Sequence, residues 1–338
     1  VRDMGNMPYI RQLQQSIRQH DLIGPDISYL SGFIDKDDEY HGPVGKLVHT
    51  KKEAVKAVDD FKKEGYDQIK IYSSIDTGWV TAMTAEAHKN NMRVAGHIPE
   101  HMTASQAVKK GYNEITHLVM VMLNFLPDTI DTRRNRLRPI GEMGYTIDLK
   151  SRLVKDFIKL LKEKKIVVEP TINNYADMFN TAPGDTNVFY KPVTSWNKKR
   201  NFIVNSFIDD TLKIPAYKRS YIRMVEMVKL LYDNGVQLLA GSDDAPPFAI
   251  QLELELFVKA GIPANEVLKI ATYTPAKIFN LDTRYGSIQK NRVADFILVD
   301  GDPLVQISDI RRVFMVVTNH RLYYPKKLYK YADWDYYY

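Results

Sequence analysis

Three residues with metal-ligating side chains each close a short apolar run: His97 in Arg93-Val-Ala-Gly-His-Ile98, His117 in Glu114-Ile-Thr-His-Leu118, and Asp243 in Gln237-Leu-Leu-Ala-Gly-Ser-Asp-Asp244. In parallel α/β folds, side chains at the carboxyl ends of different strands converge on one mouth, so residues far apart in sequence can share a site. Two imidazoles and one carboxylate suit zinc or another divalent ion, with one protein ligand fewer than a closed site uses. A buried Asp without a charged partner is costly, so packing alone explains this trio poorly.

Lys70 is a fourth candidate, within Gln68-Ile-Lys-Ile-Tyr72, where the flanking isoleucines predict burial. A buried ammonium needs compensation. Pairing with Asp243 or Asp244 would supply it, and so would carbamylation, which makes the side chain an anionic oxygen ligand able to bridge two metals. His41, Tyr72 and His101 are candidate substrate contacts, since each lies in or beside a loop that follows a strand. His88 is expected to face packing or solvent, and His20, His49 and His320 the surface. Asp244 reads as a helix cap or as an orienting group for a ligand.

These residues must be carried by βα units. Apolar runs at Asp26–Gly32, Asp67–Ser73, Arg93–Ile98, Glu114–Leu118, Ile166–Thr171 and Gln237–Ser242 alternate with helical patterns, after a short strand at Val1. Helices are expected over Lys51–Glu64 with Thr50 as N-cap, Thr84–Asn91, Thr103–Lys110, Leu149–Lys164, Lys218–Asn234 and Ile250–Ala260. Gly65, Asn91, Gly111, Asn234 and Gly261 are placed to end them. The rhythm favours a TIM-type (β/α) barrel over a doubly wound sheet across 1–280. From about Leu281 short strands and turns predict a small C-terminal β-sandwich portion over 281–338, ending in the aromatic run Tyr331 to Tyr338.

Two long connections, Val119 to Asp148 and Ile172 to Tyr217, follow strand ends and carry Phe125, Tyr175, Phe179, Phe189, Tyr190 and Trp196. They are expected to shape either a substrate pocket or a dimer contact. Arg133, Arg134, Arg136 and Arg138 in the first could clamp a substrate carboxylate or simply be solvated.

Composition narrows the function classes. The 338 residues are 44% hydrophobic and 26% charged, ordinary globular material. Lys+Arg 47 against Asp+Glu 41 gives a net charge of +6, scattered over predicted helix faces rather than gathered as a nucleic-acid interface would need. Zero cysteines exclude disulfides and thiolate metal sites. No apolar run approaches the ~20 residues of a membrane span. No His-Glu-x-x-His, phosphate loop or Gly-x-Ser-x-Gly elbow is present.

With these motifs in view, the chain resembles the amidohydrolase superfamily, particularly its imidazolonepropionase-like and metal-dependent prolidase branch. The resemblance rests on Ala95-Gly-His-Ile, Glu114-Ile-Thr-His, Ala240-Gly-Ser-Asp, Ala271-Thr-Tyr-Thr-Pro-Ala-Lys-Ile-Phe279 and Gly286-Ser-Ile with Val293-Ala-Asp-Phe-Ile-Leu-Val-Asp-Gly-Asp-Pro303. It implies that His97 and His117 are the fifth- and sixth-strand ligands and that Lys70 matches a fourth-strand lysine carbamylated in binuclear members. It also implies one or two ions, zinc or another divalent metal, and an eighth-strand Asp243 that serves as ligand and as catalytic proton carrier. The implied reaction is hydrolysis of the C–N bond of a small amide, either a dipeptide or a cyclic amide, by metal-activated water. The resemblance suggests neither a nucleic acid nor a membrane span, and it allows a homo-oligomer.

The family's first-strand His-x-His does not occur in this sequence. Val1-Arg2-Asp3-Met4-Gly5 reads like its second-strand motif, so the first strand and half of the β-sandwich are expected upstream. Asn319-His-Arg321 replaces the family's Gly-Gly-Lys turn. The alternative is a catalytically incompetent barrel acting as a binding or subunit scaffold.

Overall fold

A computed structural model describes residues 1–5, 9–38, 41–42, 44–127, 136–180, 208–243 and 248–331. The chain divides into two compact units, one of residues 1–139, 147–169 and 234–237, the other of 140–146, 170–233 and 238–338.

The first unit runs through α1 (Ile10–Arg18), β1 (Ser31–Lys36), β2 (Lys46–Val48), α2 (Lys51–Lys63), β3 (Gln68–Ile71), α3 (Val80–Lys89), β4 (Arg93–Gly96), α4 (Ala104–Lys109), β5 (Glu114–Thr116) and α5 (Leu118–Met122). After α6 (Leu137–Met143), α7 (Arg152–Glu163) and β6 (Val167–Glu169) complete it. Helices begin where side chains satisfy their free N–H groups. Thr50 accepts from the Glu53 N–H, Thr103 and Gln106 form a reciprocal capping box, and Ser151 accepts from the Val154 N–H.

All strand pairings described in this unit are parallel. The order is β2–β1–β3–β4 in one sheet, and β5 pairs with β6. Asn113 stitches the two together: its N–H donates to the Val94 carbonyl at 2.9 Å and its own carbonyl accepts from the Val167 N–H at 3.0 Å. Its side-chain oxygen accepts from the Val94 N–H at 2.8 Å. Arg2 adds a parallel bridge to Tyr29.

Strand alternation gives this sheet two unlike faces. Register places Ser31 beside Gln68, Phe33 beside Lys70, and Lys70 beside Ala95, so these residues share one face. The opposite face carries Ile34, Ile69, Ile71 and Val94, all fully buried, and belongs with the apolar helix residues Ala54, Val58, Met83 and Ala87. Every residue of β3 is buried on either face, as expected of a parallel sheet covered on both sides. The polar face is the one that leads to the site.

The first strand differs from expectation. Asp26–Gly32 was the predicted span, whereas β1 covers Ser31–Lys36 and Tyr29 makes only a bridge. Its polar members Ser31 and Asp35 are buried, so no apolar alternation marks the strand in the sequence. β2 is likewise unanticipated, being three residues held only by β1. In the Val119–Asp148 connection the described residues are largely helical.

The second unit contains α8 (Ile172–Asn180), α9 (Ile214–Asp233), α10 (Ala249–Lys259), α11 (Ala264–Ala271) and α12 (Tyr273–Ile278), with β7 (Gln237–Leu238) at the division. β8 (Phe296–Val299), β9 (Val313–Thr318) and β10 (Arg321–Tyr323) then form an antiparallel sheet in the order β10–β9–β8, followed by α13 (Pro325–Tyr331). Gly286, at φ 88°, sits in a turn ahead of this sheet. The α9 helix ends at Asp233, and the left-handed residue that closes it is Gly235, φ 74°, rather than the expected Asn234.

Tyr175 and Phe179 are buried and pack together at 5.8 Å between centroids, and Phe179 meets Tyr217 edge-on at 5.2 Å. They build core rather than pocket wall, because helix α8 turns them inward against α9. Phe125 packs on Phe157 in the first unit at 5.5 Å. Phe189, Tyr190 and Trp196 lie outside the described residues. Among the described residues no helix is long and apolar enough to cross a membrane.

Candidate metal centre and active site

The site grows from the polar face of β3 and β4. Gly96 ends β4 at φ 129°, and a Cβ there would stand 2.2 Å from the Ile71 carbonyl oxygen, so only glycine lets the two strands approach this closely. The His97 N–H donates to that carbonyl at 3.0 Å, and the buried Tyr112 hydroxyl donates to the His97 carbonyl at 2.8 Å. His97 is thus fixed on both sides of its backbone.

Its ring is fixed as well. Tyr72 stacks on the imidazole at 3.9 Å between centroids and in turn packs against Phe33 at 4.6 Å. His97 Nδ1 is hydrogen-bonded to the Ser73 hydroxyl at 2.8 Å, and that oxygen accepts from Arg136 Nη1 at 3.1 Å. Arg136 thereby enters the site from the start of α6. Burial pushes its guanidinium down to about 10, which leaves it cationic at neutral pH.

His117 follows β5 in a left-handed conformation, φ 71°, rare for a residue with a Cβ. Its N–H donates to the Glu169 carbonyl at 2.8 Å, which holds the turn into the fully buried α5. The two imidazoles meet edge-on at 4.8 Å between centroids.

Electrostatics keeps both neutral. Burial is the main cause, pushing His117 down to about 3, with the Lys70 charge adding to it and Glu169 opposing. His97 lies well below the ordinary histidine range through burial, reinforced by His117, Lys70 and Arg136. Neutral imidazoles carry lone pairs, the form in which they bind metals.

Lys70 is 6% exposed, with its ammonium 5.7 Å from the ring centres of both Phe33 and Tyr72. Its charge also acts on the buried Asp3. His41 is exposed, with Nδ1 2.5 Å from the Asp38 carbonyl and 3.8 Å from Asp37, and it adjoins Gly42, where a Cβ would stand 2.8 Å from the Tyr72 ring. His101 is exposed in the loop after β4 at φ 59°. His88, on α3, is exposed and bonded to Asn113 at 3.1 Å. His20, His49 and His320 are exposed as expected.

The structure therefore brings His97, His117, Lys70 and Tyr72 together in the first unit. Asp243 belongs to the second unit, exposed at φ 47°, with its carbonyl accepting from Asn174 Nδ2 at 3.2 Å. Among the described residues no three His, Asp or Glu side chains form a metal-binding group. Asp244, Arg133 and Arg134 fall outside the described residues, and Arg138 is exposed.

With this geometry in hand, residues 1–320 match the amidohydrolase family. The chain belongs to that family. The amidohydrolase is similar to a Xaa-Pro dipeptidase solved with methionine in its active site, at 21% identity and TM-score 0.66, covering 96% of this chain and 74% of the other. It is also similar to a protein from Bifidobacterium longum described as a putative prolidase, at 19% and 0.67 with coverage of 95% and 72%. A bottromycin amidohydrolase aligns at 17% and 0.67 with coverage of 97% and 72%. These likenesses establish a TIM-barrel-like α/β fold. Among curated proteins, none matches the sequence significantly.

Sequence reasoning missed several residues of this amidohydrolase's site. Asp35, at the end of β1, is fully buried and accepts from the Lys36, Ser74 and Gly42 N–H groups at 3.0, 3.0 and 2.8 Å. It ties the ends of β1 and β3 to the intervening loop. Burial outweighs those donors and pushes its carboxyl up to about 6. Ser73 stood beside Tyr72 without being singled out. Beneath the histidines, Arg2 bridges Glu114 at 2.7 Å and Glu169 at 2.8 Å, a buried ion cluster that the sequence shows only as separate charges.

Proposed function

We propose that this amidohydrolase is a metal-dependent hydrolase that cleaves the C–N bond of a small amide, a dipeptide or a cyclic amide. The observation that carries the reading is the buried, edge-on pair of neutral imidazoles at His97 and His117 in a chain of this family. Two neutral imidazoles suit zinc or another divalent ion. His97 and His117 would hold it, with Asp243 the third ligand that the family resemblance implies and Lys70 joining once carbamylated, so making room for a second ion. As an ammonium, Lys70 would instead repel a cation at that position.

A bound ion supplies Lewis acidity toward the amide carbonyl and a more acidic water. The protein's own groups do the rest. Asp243 takes the proton of the attacking water and returns it to the leaving nitrogen. Tyr72 and the Ser73 hydroxyl hold the His97 ring in one orientation. Arg136, cationic and close to His97 through Ser73, receives a substrate carboxylate, which favours a dipeptide over an uncharged cyclic amide. His41 and His101, both exposed beside strand ends, would meet the outer part of the substrate.

The proposed architecture is a (β/α)8 barrel over 1–280 with a C-terminal sandwich portion over 281–338. Metal analysis of the purified chain, combined with a panel of dipeptides and lactams, tests the functional reading. Bound zinc and turnover of one substrate class support it. A chain that binds no divalent ion and turns over none of the panel is a binding or subunit scaffold instead.

A further inference from the structure

Asp243 follows the two-residue strand β7 beyond Leu239–Ser242, in a left-handed conformation, φ 47°, that neighbouring groups hold in place. Those groups come from the first turn of α8. Asn173 Nδ2 donates to the Ser242 carbonyl at 2.9 Å, and Asn174 Nδ2 donates to the Asp243 carbonyl at 3.2 Å. Two consecutive primary amides thus hold two consecutive carbonyls. They are also tied to each other, since Asn173 Nδ2 donates to Asn174 Oδ1 at 3.0 Å.

The pair is itself anchored. The Asn173 N–H donates to Glu253 Oε2 at 2.8 Å, and Glu253, on α10, is fully buried. A carboxylate accepting at a helix N-terminus makes a strong, directional bond. Asn173 is 3% exposed, so its amide has little freedom to leave the Ser242 carbonyl for water. The geometry points to Asn173 and Asn174, backed by Glu253, as positioning residues that set the direction of the Asp243 side chain. This inference rests on the proposed role of Asp243. An asparagine suits the task because its amide donates where an aspartate of the same shape would repel the carbonyl.

The test uses the full chain and four variants, Asn174→Ala, Asn174→Gln, Asn173→Asp and Asp243→Asn, plus the double variant of Asn174→Ala with Asp243→Asn. Asn174 is only half-buried, so its replacement leaves the core intact even if Asn173→Asp fails to fold. Backbone hydrogen exchange over 238–243 should quicken about 10-fold in Asn174→Ala and recover in Asn174→Gln. Zinc affinity measured by calorimetry, or kcat on the active substrate, should fall about 10- to 100-fold with KM nearly unchanged. In the double variant, removing the amide should add nothing to the loss from Asp243→Asn.

Exchange that stays unchanged overturns the clamp. Faster exchange with zinc affinity and kcat both intact, or losses that add fully in the double variant, overturn its link to Asp243. If Asp243→Asn alone changes neither zinc affinity nor kcat, the role of Asp243 fails and the positioning inference with it, while the exchange data still report whether the carbonyls are held.

Discussion

Two sheets of this protein treat side chains in opposite ways. Among the parallel strands, the polar residues Lys70, Asp35 and Glu114 are at most 6% exposed. In the antiparallel β8–β10 sheet, Ile297, Leu298 and Phe314 are 43%, 45% and 62% exposed. Buried charge costs free energy and lasts only where partners compensate it, whereas a half-exposed apolar residue costs little. Polar groups crowded against expectation therefore support the parallel strands as the seat of the proposed chemistry. The exposed apolar groups of the antiparallel sheet carry no such signal.

The contrast can be broken most sharply at the histidines. His97→Ala and His117→Ala should each lower metal content and amide turnover by more than about 100-fold while leaving the circular dichroism spectrum native. A variant that keeps both would remove the metal centre from the first sheet.

Arg2→Ala should cost about 3–5 kcal/mol in urea denaturation, because Glu114 and Glu169 would keep buried charge without their shared partner. Arg2 is held charged above its ordinary value, since the attraction of Glu114 and Glu169 overcomes the opposing effect of burial. Loss below 1 kcal/mol would show that water reaches the cluster. Gly96→Ala belongs in the same range, because its methyl group meets the Ile71 carbonyl.

Acid should act through the same face. Unfolded histidine binds a proton near pH 6.5, but folded His117 does so only at about 3, so its stabilisation is complete above pH 6.5 and is lost as pH falls toward 3. The slope is up to about 1.4 kcal/mol per pH unit. Asp35 has the opposite sign, favouring the folded state below its unfolded pKa and losing that contribution as pH rises through about 6. Urea midpoints at pH 7 and 5 for the parent chain and His117→Asn should separate the two, with the variant losing the histidine slope.

The smallest effect is expected in the antiparallel sheet. Phe314→Ser should shift stability by no more than about 0.5 kcal/mol, since its ring already lies mostly in solvent. A loss of several kcal/mol would mean that the face is covered.

His97 and His117 were legible because each closes an apolar run, and parallel strands buried on both faces write such runs plainly. Asp35 was not, because the strand that carries it contains buried polar residues and shows no apolar alternation. Arg136 was one of four similar arginines, and nothing local separates it from Arg138, which is exposed. Tyr175 and Phe179, expected in a substrate pocket or a dimer contact, lie in the core instead, because helical spacing does not say which neighbour a face will meet. Asn173 and Asn174 carry no sequence signal at all, being ordinary residues at a helix start.

The sequence by itself determined the βα rhythm, the family and the two histidines, since strand period, helix caps and ligand chemistry are local properties. Tertiary structure decided which charges are buried together, which arginine reaches Ser73, and that both imidazoles are held in the neutral form. Those outcomes depend on desolvation and on distances between residues far apart in the chain, and neither quantity exists until the strands have paired.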